Sequence, residues 1–252
     1  MTEKMAAHVR RLWRHRGTTL PVPRRGPRQQ LDLDEILAAG IAIADADGLA
    51  AVSTRAIGSR LGRSAMALYP YVGTKEELLA LMQDHASAMP ELPDDAADLA
   101  GGLGAWASAL FGLYLAHPWL TERPWSQASQ GPNEQDWLER LLRILRDGEV
   151  APGERAVAVT MLYATVRATA NTAAAYRRLD ARETAAWLLQ AAETRRQITD
   201  FGRRYPLSSS LEPVTPDWTA SPRAALDAAV RLLARSLAEQ HGTEPTARQS
   251  GM

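Results

Sequence analysis

The side chains best suited to bind another molecule lie within a short stretch between Val52 and Leu78. Hydroxyl and cationic groups in this stretch can bind phosphate oxygens, and the small or apolar groups beside them can contact the methyl group of thymine. This combination is typical of a surface that contacts DNA. The candidate contact residues are Thr54, Arg55, Ser64, Ala65, Met66, Tyr69, Tyr71 and Lys75.

Two short helices are predicted to position these side chains. Ser53 can cap a first helix, and Gly62 can end it in a tight or left-handed turn. A second helix follows from Ser64 to Tyr69, and Pro70 is expected to end it because proline lacks a backbone donor. The pattern predicts a helix-turn-helix whose second helix fits the major groove of DNA.

Helices are also predicted on both sides of this pair. Asp32 opens a helix with apolar residues at helical spacing, and Gly48 closes it. Thr74 and Glu77 have the spacing of a capping box, which predicts that a long helix starts there. The helix that begins at Asp32 and the two short helices are predicted to form a three-helix head.

The segment A-L-Y-P-Y-V-G-T-K-E-E-L-L, from Ala67 to Leu79, resembles the recognition-helix signature of TetR-family transcriptional regulators. The resemblance extends from Leu31 to about Leu81, and His117–Leu120 and Gly131–Asn133 resemble recurring features of the tetracycline-repressor-like regulatory domain. Pro70 and Tyr71 differ from the residues of many relatives, so base preferences do not transfer. The resemblance implies a repressor that leaves a palindromic double-stranded DNA operator when a small hydrophobic effector binds.

The chain carries no net charge, but its N-terminus is strongly basic, with eight basic residues and one acidic residue in residues 1–30. Prolines and the lack of an apolar stripe beyond Leu12 and Trp13 predict that this arm is flexible. Its arginines can contact phosphates or enter the minor groove, and the alternative is a solvated tail. The candidate contacts in the arm are Arg24, Arg25 and Arg28.

The rest of the chain is predicted to be an all-α bundle, because helical apolar stripes recur and no strand alternation competes with them. A long helix should begin at Pro152 and run to about Arg178, and a last helix should begin at Ser221 and Pro222. The last helix has two adjacent apolar rows, whereas packing against one neighbouring helix requires only one. The resemblance implies that these two helices pair with their copies in a homodimer.

A ligand cavity is expected at the centre of the bundle, where aromatic and adaptable walls combine with a few polar groups. Aromatic residues at this spacing can equally form a core. No cofactor and no metal is expected, since no histidine and glutamate cluster accompanies His117. The candidate ligand-binding residues are Trp106, Leu110, Tyr114, His117, Trp125, Met161, Arg167 and Asn171.

The helix that opens at Thr74 joins head and bundle, and Met82 and His85 on it are expected to transmit ligand binding to the head. Two alternatives remain open: an effector-independent DNA-binding protein and an activator. The sequence does not support an enzymatic function, because the chain has none of the usual nucleophile, metal or phosphate-loop motifs.

Composition favours a cytoplasmic protein. The chain has no cysteine, and neither a signal peptide nor an apolar run long enough to cross a membrane is expected. The predicted organisation is an arm at 1–30, a DNA-binding domain at 31–78, a ligand-binding and dimerisation domain at 79–241 and a disordered tail at 242–252.

Overall fold

The structure is a computed structural model that describes residues 3–17, 31–92, 98–123, 127–212, 215 and 217–241. All regular elements in these ranges are helical, which agrees with the predicted all-α class. The helices are α1 (Glu3–Leu12), α2 (Leu33–Asp47), α3 (Thr54–Leu61), α4 (Ala65–Val72), α5 (Lys75–Ala86), α6 (Leu99–Ala116), α7 (Pro132–Asp147), α8 (Pro152–Arg178), α9 (Ala181–Gln197), α10 (Phe201–Arg204), α11 (Pro206–Ser209) and α12 (Ser221–His241).

The head consists of α2, α3 and α4, with α5 packed against α2 and α4. The predicted caps are present: Asp32 accepts a hydrogen bond from Asp34 N, and Ser53 accepts one from Ala56 N. Thr74 and Glu77 form the predicted capping box of α5. Each cap satisfies backbone donors that a helix start otherwise leaves without partners, which fixes where the helix begins.

Pro70 does not end α4, contrary to the sequence expectation. The helix continues to Val72, whose side chain is fully buried, and Gly73 N then donates to Tyr69 O at 3.0 Å. Proline removes one hydrogen bond and restricts the preceding turn, but burial of Val72 outweighs that cost. The second helix of the pair therefore ends three residues later than predicted.

The N-terminal arm also differs from its prediction. Residues 3–12 form α1, and Leu12 is buried against the core, so the expectation of a flexible arm is wrong for residues 3–17. Leu12 and Trp13 pack against the core cluster, and α1 packs against α5. This tertiary packing stabilises a short helix that has few apolar residues of its own. Residues 18–30, with Arg24, Arg25 and Arg28, lie outside the described residues, as does the predicted tail at 242–252.

The bundle is built on α6, α8 and α12, which pack against one another, with α7 covering α6 and α8. The long helix predicted from Pro152 to Arg178 and the last helix predicted at Ser221 are both present. Trp106 and Trp137 pack edge to face at its centre, with ring centroids 5.9 Å apart.

Helix α6 is long and apolar enough to cross a membrane by length and composition, so the expectation that no segment meets that criterion is wrong. Its side chains instead fill the bundle core, where Leu103, Trp106 and Leu110 are buried. A core helix of this kind is apolar because neighbouring helices cover it on several sides.

Candidate DNA-binding surface and ligand cavity

The turn between α3 and α4 is compact. Gly62 adopts the left-handed conformation, with φ 65° and ψ 34°, as the sequence predicts. Arg63 N donates to Gly58 O at 2.8 Å, which folds the turn back onto α3. A Cβ at Gly58 would lie 2.6 Å from Arg63 O, so the crossing requires glycine at this position. No local sequence pattern indicates the role of Gly58, because that role depends on the approach of the start of α4.

The outer face of α4 presents exposed side chains. Met66 is 75% exposed and Tyr69 is 48% exposed, although large apolar side chains are usually buried. Ser64 is exposed, and its hydroxyl makes no capping bond to α4. Ala65 is half-buried, and the ring of Tyr71 packs against the core cluster. The face formed by Ser64, Met66 and Tyr69 is therefore accessible and can contact the major groove of DNA.

The predicted phosphate contacts flank this face at two helix starts. Thr54 and Arg55 lie in the first turn of α3, and Lys75 is the first residue of α5. The positive end of a helix dipole and free backbone amides favour an anion at such positions. Arg55 and Lys75 are exposed.

A cavity of about 90 Å³ lies in the bundle between α5, α6, α7 and α8. Three of the predicted ligand-binding residues, Leu110, Tyr114 and Arg167, line it. The other lining residues are Gln83, Ser87, Leu113, Leu120, Ala128, Gln130, Glu134, Gln135, Trp137, Leu138 and Tyr163.

The remaining ligand-binding predictions do not line this cavity. Trp106 is fully buried behind Tyr163, with ring centroids 5.0 Å apart, and Met161 is 50% exposed on α8. His117 bonds to Asp45 of the head, and Asn171 is exposed. Aromatic, adaptable and polar residue types predicted these positions, but residue type and helical spacing do not distinguish a core face or a surface position from a cavity wall. Trp125 lies outside the described residues.

Polar groups of the cavity form one network around Glu134. Its carboxylate accepts hydrogen bonds from Gln83 Nε2, from Ser129 Oγ at 2.7 Å and from Gln130 N at 3.1 Å. Gln83 Oε1 in turn accepts a hydrogen bond from Arg123 Nε. Since these bonds use both carboxylate oxygens, Glu134 holds together the polar side of the cavity wall.

Two tyrosines, Tyr114 and Tyr163, line the cavity together with Arg167. Burial raises the pKa of the Tyr114 hydroxyl, although Arg167 opposes this by its charge and a hydrogen bond. Burial also raises the pKa of Tyr163, and the neighbouring Tyr114 adds to that rise. Both hydroxyls are therefore neutral near pH 7 and can donate hydrogen bonds. The Arg167 guanidinium also donates a hydrogen bond to Arg123 O.

Helix α5 is joined to the cavity wall through Asp84. The buried Asp84 Oδ1 accepts from Asn133 N at 2.9 Å and from Glu134 N at 3.2 Å, which are the first free amides of α7. Asn133 Nδ2 donates back to Asp84 O at 2.9 Å. A side chain of one helix thus caps another helix. A Cβ at Gly131 would overlap the Asp84 carboxylate, so this position also needs glycine.

Helix α5 is also packed into the head, through a residue two positions before Asp84. Met82 is fully buried, and a Cβ at Gly40 of α2 would lie 2.8 Å from its Sδ atom. Movement of α5 therefore requires movement of α2. A second contact joins the two halves, because Asp45 Oδ1 of α2 lies 2.8 Å from both His117 Nδ1 and Trp119 Nε1.

Comparison with known proteins identifies the chain. Residues 36–82 match the family model for bacterial regulatory proteins of the tetR family. A relative from Streptomyces coeruleorubidus, the HTH-type transcriptional repressor DrrR1, is 33% identical over 209 residues, which cover 78% of this chain and 75% of the relative. The chain belongs to the TetR family.

Solved TetR-family structures have the same fold. ActR of Streptomyces coelicolor in complex with actinorhodin superposes with a TM-score of 0.66 at 24% identity, covering 82% of this chain and 95% of ActR. Apo ActR gives a TM-score of 0.62 at 23% identity, covering 84% of this chain and 97% of ActR. As a TetR-family member, the protein is a DNA-binding transcriptional regulator and not an enzyme.

Proposed function

We propose that this TetR-family protein is a homodimeric repressor that releases a near-palindromic operator when a flat aromatic ligand enters the bundle cavity. The observation that carries the proposal is the cap from Asp84 of α5 to the first amides of α7, because α7 is a cavity wall and α5 packs into the head. The relative named as a repressor and the complex of ActR with actinorhodin support the same direction of control. Such a regulator acts in the cytoplasm, where its operator is.

The cavity indicates the class of ligand. Leu110, Leu113 and other apolar side chains supply hydrophobic walls, and the Trp137 ring supplies a flat one. Arg167 supplies hydrogen-bond donors to a carbonyl or acidic oxygen, and the neutral tyrosine hydroxyls nearby can add others. A polycyclic aromatic molecule with oxygen substituents fits this combination.

The volume of the cavity indicates how the ligand acts. An engineered cavity of about 150 Å³ is known to bind one benzene molecule, whereas this cavity measures about 90 Å³. A ligand with several rings must therefore displace α7 or its neighbours. Because Asp84 holds the start of α7, that displacement pulls on α5 and turns the head. The ligand then favours the conformer in which two recognition helices no longer match the operator.

The DNA-binding surface follows from the head. We propose that Ser64, Ala65, Met66 and Tyr69 contact bases or the adjacent backbone in the major groove, with part of Tyr71 at the edge. Thr54, Arg55 and Lys75 then bind phosphates and set the register. Arg24, Arg25 and Arg28 of the arm are proposed as additional contacts.

Selection of duplexes from a random DNA pool tests operator binding. We expect a near-palindromic motif that survives near-physiological salt, since base contacts add to the electrostatic term. Enrichment only at low salt and without a motif would contradict sequence-specific recognition.

Replacing Leu110 by tryptophan is expected to abolish the ligand response while operator binding remains. The larger ring fills the cavity from α6, where Leu110 is buried. The measurement is the shift in melting temperature with actinorhodin and other polycyclic aromatic molecules, together with release of the selected duplex. Leu207→Trp, at a side chain that is 85% exposed, is the matched control. A wild-type response in Leu110→Trp would place the ligand elsewhere, and no response in either protein would favour an effector-independent regulator.

The proposed dimer uses the exposed faces of α8 and α12. Leu232 is 64% exposed, and Val157 and Met161 are similarly exposed on α8. Exposed apolar residues on two adjacent helices favour a partner helix pair. We expect Leu232→Asp to yield a monomer at micromolar concentration and to lower operator affinity about 100-fold, whereas Leu207→Asp leaves both unchanged. Light scattering measures the mass, and a dimeric Leu232→Asp protein would contradict this interface.

A further inference from the structure

The N-terminal segment, residues 3–17, packs against α5 at the junction of head and bundle. Leu12 is 3% exposed within the main core cluster, and Trp13 packs against the same cluster. The family match begins at residue 36, so this segment lies outside the matched residues. Its burial shows that it is part of the folded unit.

Its basic side chains bind acidic groups of the head. Arg14, whose side chain is 9% exposed, forms an ion pair with Asp34 in the first turn of α2, and its Nη1 donates to Arg11 O at 2.8 Å. Arg11 Nη2 lies 3.5 Å from Glu77 Oε1, the residue that completes the capping box of α5. The segment thus contacts both head helices that meet the bundle.

Further groups face the same ion pair. His15 Nε2 lies 3.0 Å from Asp34 Oδ2, and His85 Nδ1 of α5 lies 3.6 Å from Asp34 Oδ1. Asp34 therefore contacts a guanidinium and an imidazole of the N-terminal segment and an imidazole of α5. One carboxylate on α2 connects three parts of the chain.

The segment also contacts the bundle. Arg16 forms an ion pair with Asp136 of α7, two residues beyond the amides that Asp84 caps. Residues 3–17 thus span from α2 and α5 to a wall of the ligand cavity. This connection bypasses the covalent path through α5.

We infer that residues 3–17 form a brace that fixes the orientation of the head relative to the bundle. The expected effect on DNA binding rests on the proposed function, whereas the contacts of residues 3–17 do not depend on it. Each exposed ion pair changes an equilibrium by no more than about fivefold, so the brace acts through several contacts together. In a protein that changes between two head orientations, such contacts favour one of them.

The experiment removes the acidic partners and leaves every arginine of the segment in place. Asp34→Asn combined with Asp136→Asn breaks the brace at both ends. Glu35→Gln combined with Glu139→Gln removes the same charge from exposed positions on the same two helices. Neither pair alters the positive charge of the N-terminus, so a direct loss of phosphate contacts is excluded.

The head orientation is measured by electron–electron double resonance. The chain contains no cysteine, so labels can be placed at Ser59→Cys on α3 and Arg146→Cys on α7, both exposed. Labelled protein is mixed with an excess of unlabelled protein, so that distances within one chain dominate. The affinity and salt slope for the selected duplex are measured on the same variants.

We expect the asparagine pair to broaden or shift the distance distribution and to weaken operator binding about fivefold at an unchanged salt slope. The glutamine pair should match the wild type. An unchanged distance distribution in the asparagine pair would overturn the brace, even if DNA affinity fell. The distance measurement needs neither DNA nor ligand, so a protein that selects no operator still tests the brace, and failure of the proposed function remains distinguishable.

Discussion

Replacing Gly58 by alanine is expected to lower the free energy of unfolding by about 3 kcal/mol and to abolish specific DNA binding. The new Cβ would meet Arg63 O at 2.6 Å and Ala65 N at 3.3 Å. Both are backbone atoms of the turn into α4, so relief of the overlap must move the recognition helix. A displaced recognition helix no longer fits the groove that the rest of the head defines.

Gly104→Ala is the matched control for this variant. Gly104 also lies within a helix, but a Cβ there would meet nothing within 4 Å. The same substitution should therefore raise stability by up to about 1 kcal/mol, because alanine favours the helix. Urea unfolding and titration of the selected duplex measure the two effects. A Gly58→Ala protein with wild-type stability and affinity would show that the crossing tolerates a side chain.

Replacing Asp84 is expected to separate ligand binding from DNA release. In Asp84→Ala the amides of Asn133 and Glu134 lose their acceptor in a buried position, which should destabilise the fold by about 2 kcal/mol. Ligand should still raise the melting temperature, while release of the operator weakens at least tenfold. Asp98→Ala is the control, because Asp98 caps its own helix α6 by accepting from Gly101 N. Normal operator release by Asp84→Ala would contradict transmission through this cap.

The pH dependence of stability gives an independent test of Asp84. Burial raises its pKa to about 6, although the amides of Glu134 and Asn133 oppose the rise. The folded state therefore binds the proton of Asp84 more tightly than the unfolded state does. This difference stabilises the fold fully below about pH 4 and is lost as the pH rises through about 6. The loss is on the order of 3 kcal/mol.

Asp84→Asn keeps an acceptor oxygen and removes this titration. Relative to the wild type, the asparagine variant should become more stable as pH rises from 4 to 7. Urea unfolding at both pH values checks the sign. Parallel pH profiles for the two proteins would show that Asp84 does not titrate in this range.

The head was largely predictable from sequence because its signals are local. Ser53, Gly62, Thr74 and Glu77 act within one or two turns of themselves, and the structure has the expected caps. The predicted helix end at Pro70 was wrong because the local preference of proline competes with burial of Val72, which depends on tertiary packing. The structure of α1 was missed for the same reason, since Leu12 is stabilised by α5 and not by its own neighbours in sequence.

The cavity was only partly predictable. Leu110, Tyr114 and Arg167 were identified, yet Met161 has the same helical spacing and lies on the surface. Periodicity indicates that a helix has a buried face but does not give the packing angle that opens a cavity. The contact between Asp84 and α7 joins residues about 50 positions apart, and no pattern within either helix indicates it.

The cap by Asp84 has a consequence for how such a sensor changes in evolution. Asp84 binds two backbone amides, and nearly every residue type supplies a backbone amide. Gln135 and Leu138 on the cavity side of α7 can therefore be exchanged without loss of this connection. New ligand preferences can arise by substitution in the wall while the path to the head stays intact. Selectivity and signalling are thus encoded in different parts of the same helix.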